Sequence, residues 1–272
     1  MADENKQQSG LAIYDGPKYA ITAMDSGNIR ETIAENIGDT EIGPNDLMRI
    51  GMPGSGGLTW QVPDPMTQEP SAVKEIEGVV IGQGTRRALW LVPFEESDGG
   101  PPACSSDDGR IGHGFLSLDQ LNVASESGEA PPSRPCKTCP MNQWGSGKPR
   151  KGQHHSKSKA CGERRVLFIM QRDSILPIVV SLAPTSIKPW RDFTLALTRQ
   201  QISLHSVVVG LSLRVDKVEG ASIKYSVVTP RVISKLSDED AAAMASAREQ
   251  MGDLFGSVSA ADVVEQAQTY VA

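Results

Sequence analysis

No run of eighteen apolar residues occurs in this 272-residue chain, so it offers no candidate for a membrane-spanning helix. Aromatic residues make up only 5% of it, which suits a modest core with sizeable irregular parts. Met1 to Gly10 are polar and lack the apolar stretch of a secretory signal. A cytoplasmic location is therefore expected, with cysteines reduced or metal-bound. Phosphate-cradling motifs are missing too. Met48 to Trp60 contains Gly51, Pro53, Gly54, Gly56 and Gly57, but not the Gly-Lys-Ser/Thr ending of a nucleotide loop. Catalytic groupings are scarce. Glu95-Glu96 and Asp107-Asp108 are adjacent acids, which point apart and mark solvated turns. Ser105-Ser106 has no evident base, and Asp173 and Asp216 have no supporting spacing. No catalytic residue is assigned, and a non-enzymatic protein is expected.

Cysteine is rare but concentrated. All four cysteines, Cys104, Cys136, Cys139 and Cys161, fall in one stretch. Cys136-Lys137-Thr138-Cys139 is a C-x-x-C knuckle, whose spacing lets two thiolates reach one tetrahedral ion. Cys104 and Cys161 complete a four-thiolate set for zinc. The surrounding sequence is rich in Gly, Pro, Ser and Lys and has little to bury. Metal binding would supply its folding free energy. Two disulfides, an iron–sulfur cluster and unligated thiols are the competing readings. His113, His154 and His155 could replace one cysteine, but are read as polar loop residues.

The net charge of −6 hides a strong asymmetry. Residues 134–235 carry 18 basic and 5 acidic side chains, whereas residues 236–272 carry 1 and 7. A basic centre between acidic ends suits a polyanion partner. Trp144 lies among Lys148, Arg150, Lys151, Lys157 and Lys159, and Arg164, Arg165 and Phe168 follow. Cations that track phosphates, with aromatic faces that accept bases, are what single-stranded nucleic acid binding requires. Lys188 and Arg191 could extend that path. The structural alternatives are that Trp144 covers the knuckle, that Phe168 is core, and that the lysines are merely solvated. Trp60, Trp90 and Trp190 are assigned to the core.

Along the chain, a short helix is expected near Ile29–Ile37, ended by Gly38. Val73–Ile81 and Ala88–Val92 read as two strands joined at Gly82-Gln83-Gly84. Strands follow at Arg164–Met170 and Ile175–Leu182, then a helix from Thr185 or Ser186 to about Gln200. Ser203–Val215 and Ser222–Ile233 read as two long strands. A helix opens at Ser237-Asp238-Glu239-Asp240, and 257–272 reads either as a short helix or as a loose end. The fold class is mainly β with α. With the insertion removed, the order resembles that of an OB-like β-barrel, a five-stranded fold with a helix after its third strand. The expected organisation is an acidic segment at 1–48, a barrel at 49–235 with a zinc-binding insertion at about 95–163, and an acidic helical segment at 236–272.

A chain of this order, with cysteines in a loop between barrel strands and an acidic stretch from Asp238, resembles the single-stranded DNA-binding proteins of phages, the helix-destabilising protein of T-even phages among them. The match is not complete, since that family uses one histidine and three cysteines at other spacings. The segment from Cys104 through Cys136-Lys137-Thr138-Cys139-Pro140-Met141-Asn142-Gln143-Trp144 to Cys161 also looks like uncharacterised phage and prophage proteins. The resemblance implies sequence-nonspecific single-stranded DNA binding in replication or recombination, a bound zinc, and protein partners recruited by the acidic C-terminal segment. Two other classes remain: a phage-encoded zinc protein that binds a host polymerase or defence factor without DNA, and a metal-dependent nuclease or iron–sulfur repair enzyme.

Overall fold

Every residue of the run Val166-Leu167-Phe168-Ile169-Met170 is at most 1% exposed. A strand whose two faces are both apolar must be covered on both sides, and the rest of the architecture follows from that demand. In the computed structural model, residues 26–38, 42–64, 67, 69–91, 100–147, 158–172, 174–217 and 224–263 are described.

The elements run in order: α1 (Ser26–Ile37), β1 (Arg49–Gly51), β2 (Trp60–Pro63), β3 (Pro70–Val73), β4 (Glu75–Leu89), β5 (Cys104–Ser106), β6 (Ile111–Gly114), α2 (Leu118–Ser127), β7 (Ser133–Pro135), β8 (Gly162–Met170), β9 (Ile178–Leu182), α3 (Pro184–Arg199), β10 (Val207–Lys217), β11 (Lys224–Lys235), α4 (Asp238–Gln250) and α5 (Gly252–Ser257). This is a mixed α+β fold dominated by sheet.

β4 is the strand around which the sheet is built. Glu75–Gly78 pair with β10, Val79–Ala88 pair with β8, and Arg87–Leu89 pair with β5. β8 continues to β9, and β9 takes β1 in parallel. β10 and β11 form a long antiparallel ribbon. The ladder path therefore runs β11-β10-β4-β8-β9-β1. No ladder among the described residues joins β1 to β11, so the strands do not close into a ring.

Two separate cores cover the sheet. Val79, Ile81, Val166, Phe168 and Met170 face α4 and α5, with Met244, Val258 and Val263 beneath. Val80, Leu167, Ile169, Val180 and Leu211 face the other way, with Trp60, Trp190 and Leu197. Both of those tryptophans are satisfied core residues. Trp60 Nε1 donates to the Leu211 carbonyl at 2.8 Å, and Trp190 Nε1 donates to Gln83 Oε1 at 2.9 Å. Trp90 is only half-buried.

Three local expectations are corrected or extended. The two strands expected on either side of Gly82-Gln83-Gly84 are one fifteen-residue strand with a bulge between Val80 and Gly82. Those glycines serve close approach, not a turn. A Cβ on Gly82 would stand 2.7 Å from the Phe255 ring, and one on Gly84 would stand 2.5 Å from the Arg86 guanidinium. The insertion carries a helix, α2, that was not expected. Ser117 caps it, its hydroxyl accepting from Gln120 N, and Gly128 ends it at φ 70°. The final helical stretch begins earlier than expected, with α5 at Gly252–Ser257 and a buried end at Val258 and Ala260. Ser237 caps α4 as expected, its hydroxyl accepting from Asp240 N.

Candidate nucleic-acid interface beside a four-cysteine knuckle

Each cysteine is brought to the site by a different piece of chain. Cys104 opens β5, Cys136 follows β7, Cys139 precedes a single 3₁₀ turn at Pro140–Asn142, and Cys161 precedes β8. The knuckle is fixed by backbone bonds: Cys136 N donates to the Arg110 carbonyl at 2.7 Å, and Cys161 N donates to the Met141 carbonyl at 2.8 Å. All four side chains line one cavity of about 10 Å³. Gly112 permits this, since the place its Cβ would take lies 3.2 Å from Cys104 Sγ and 3.4 Å from Cys136 Sγ. None of the four is in a disulfide. Among the described residues no three His, Cys, Asp or Glu side chains gather as a metal cluster; the four cysteines share the wall of one small cavity. Burial pushes the Cys161 thiol up to about 12, with the other three sulfurs adding to it. Burial raises Cys104 as well. The loop expectation is corrected for His113: it is an exposed residue of strand β6, its Nδ1 lying 2.8 Å from the hydroxyl of Ser133, opposite it on β7.

The knuckle is tied to the surface beside it through Asn142. Its Nδ2 donates to the Cys136 carbonyl at 2.8 Å. Its Oδ1 accepts from Arg87 Nη1 at 2.6 Å and from Lys159 Nζ at 3.1 Å. Arg87 also pairs with Glu163 at 2.8 Å, the residue directly opposite it in the β4–β8 ladder.

Trp144 projects from this frame. It is 78% exposed, the most exposed of the large apolar side chains described. Lys159 Nζ lies over the ring, 5.3 Å from its centroid, a cation–π contact. A cleft opens on each side of the ring. One, of about 390 Å³, lies between Trp144 and the first turns of α3 and includes Lys188 and Arg191. The other, of about 640 Å³, is lined by Arg87, Arg110, Lys137 and Lys159. An exposed indole between two cation-lined clefts can stack a base and hold its phosphates. Arg87, Arg110 and Lys137 were not selected from the sequence. They are scattered along it, and only the β4–β5–β6 pairing brings them together.

The remaining expected contacts divide into three groups. Lys148, Arg150, Lys151 and Lys157 lie outside the described residues, as do His154, His155, Glu95, Glu96 and Asp173. The ends of that basic loop are pinned together, with Gly145 N and Gly147 N both donating to the Ser158 carbonyl at 3.0 and 3.1 Å. Phe168 is corrected: it is fully buried and packs on Phe255 at 4.5 Å between ring centroids, so no base can reach its face. Arg164 and Arg165 are half-buried, and burial lowers the pKa of each. The acid pair has structural work. Asp107 Oδ1 accepts from Ala260 N at 2.7 Å, and Asp108 Oδ1 accepts from Arg110 N at 2.7 Å and Ile111 N at 2.9 Å.

No helix among the described residues is long and apolar enough to cross a membrane. No family model matches this chain, and no curated protein and no solved structure matches it.

Proposed function

We propose that the protein binds single-stranded DNA without sequence specificity, as a non-catalytic component of phage-type replication or recombination. One observation carries this reading: Trp144 stands exposed over Lys159 between two clefts edged by cations. An exposed aromatic face with cations beside it is what base stacking requires. The sequence adds Lys148, Arg150, Lys151 and Lys157 between Gly147 and Ser158, which are hydrogen-bonded to each other close to Trp144 in the chain.

The body would be an OB-like half-barrel. With the two strands expected before the insertion merged into β4, the order β4, β8, β9, α3, β10 and β11 gives five strands with a helix after the third, and OB barrels are themselves partly open. Here β1 lies parallel to β9 at the end of the path. The cysteines would hold one structural zinc, since four thiols around one small cavity are the donor set of a closed zinc site. Zinc would fix the knuckle, and through Asn142 it would fix Lys159. The acidic C-terminal segment would recruit replication or recombination proteins, and the protein would act in the cytoplasm.

Fluorescence anisotropy of a labelled single strand of about 30 nucleotides, against the duplex, tests this at two salt concentrations. Tight, salt-sensitive binding to the single strand alone is expected. Folded, zinc-loaded protein that binds neither form would overturn the reading in favour of a host-protein partner.

A further inference from the structure

The cleft between Trp144 and α3 has features that a simple phosphate track does not need. Its lining brings the apolar indole of Trp144 together with Pro184 and Ile187 of α3. Its volume of about 390 Å³ is that of a small-molecule site. Glu163 is part of its lining, a carboxylate in a surface otherwise built for anions. Both ion pairs of Glu163, to Arg87 at 2.8 Å and to Lys159 at 4.0 Å, are made by Oε2. Among the described residues Oε1 takes no hydrogen bond. A carboxylate carries about four lone-pair sites, so one oxygen is left to accept from a ligand.

We infer that this cleft takes one unstacked nucleobase and favours a base with an exocyclic amino group. This rests on the single-strand reading above and adds a preference to it. The base would lie between Trp144 and Ile187, with its amino edge toward Glu163 Oε1. Lys188 and Arg191, both exposed at the rim, would meet the flanking phosphates. Cytosine offers its N4 amino donor to a carboxylate. Thymine places the O4 acceptor at the same position, which an acceptor repels. The protein would then be nonspecific along most of the strand but selective at one nucleotide.

The test uses the full chain and labelled homopolymers of deoxycytidine and thymidine about twelve nucleotides long. Cytosine is expected to bind about fivefold or more tightly than thymine. Glu163→Gln should erase the preference. Because that substitution also disturbs Arg87, Ile187→Trp provides an independent check by filling the cleft from α3. It should abolish the preference while salt-sensitive binding persists. Equal binding of the two homopolymers by the unmodified protein, or a preference that survives both substitutions, would overturn the pocket and leave the single-strand reading standing. No binding to either homopolymer would overturn both.

Discussion

Asn142 Oδ1 accepts from Arg87 at 2.6 Å while its Nδ2 donates to the Cys136 carbonyl at 2.8 Å, so one buried amide joins the sheet to the knuckle. Asn142→Ala leaves the Cys136 carbonyl and the Arg87 guanidinium without this partner. Losing buried bonds of this kind costs about 1–3 kcal/mol. The melting temperature should fall accordingly in differential scanning calorimetry, and Asn142→Asp should not restore it, because a carboxylate cannot donate to the carbonyl.

Trp144 makes the opposite prediction. It is exposed, so Trp144→Ala should leave thermal stability nearly unchanged. Binding of a single strand should weaken by about 1–3 kcal/mol, the worth of one stacked base. Anisotropy at fixed salt reads this directly. Trp144→Phe should recover part of it.

Metal removal separates the zinc reading from free thiols. Purified protein should contain one zinc per chain by elemental analysis. A strong chelator should lower the melting temperature and weaken single-strand binding together, since Lys159 depends on the knuckle through Asn142. Cys139→Ser should reproduce both effects. Iron with visible absorbance would instead identify a cluster.

Asp108 gives a pH dependence of known sign. Hydrogen bonds from the backbone N–H of Ile111 and of Arg110, and from the Ser106 hydroxyl, hold its carboxyl below the ordinary value of 3.8. A depressed folded-state pKa contributes stability above the unfolded value, and that contribution is lost as pH falls through the folded one. Asp108→Asn should therefore lower the melting temperature at neutral pH. The two proteins should converge as pH falls through the folded-state pKa of Asp108.

Gly82 is a packing position. Any side chain there would meet the Phe255 ring at 2.7 Å. Gly82→Ala should destabilise by about 1–3 kcal/mol, as overpacking does. Adding Phe255→Leu to it should restore part of the loss, which chemical denaturation would measure.

The reasons why some features could be read from the chain, and others not, are physical. Helix α3 was legible because Trp190, Phe193 and Leu197 repeat at helical spacing, and the β10–β11 ribbon because its β-branched residues cluster. The cysteines were legible as a group because they are few and close. Phe168 misled because its covering partner, Phe255, lies far along the chain. Gly82 suggested a turn for the same reason: the ring that needs its space, Phe255, is distant in sequence, while Gly84 makes room for the guanidinium of Arg86 two residues on, whose fold over the glycine the local sequence does not signal. Glu163 was invisible as a site residue until ladder register set it against Arg87. The cap Ser117 and the stop Gly128 did signal α2, but a weak apolar stripe between them hid it.

The pairing of Ala88 with Gly162 bears on how the chain finds its fold. The whole insertion leaves β4 and returns to β8 at neighbouring rungs. The cost of closing such a long loop grows only with the logarithm of its length, so the insertion could lengthen or shorten with little penalty to the sheet. Its burden is kinetic instead. The pairing of β4 with β8 must wait for distant segments to meet, and contacts of that range slow the search. Ion capture by Cys104 and Cys161 would close nearly the same loop, so metal and ladder would each make the other's late step faster.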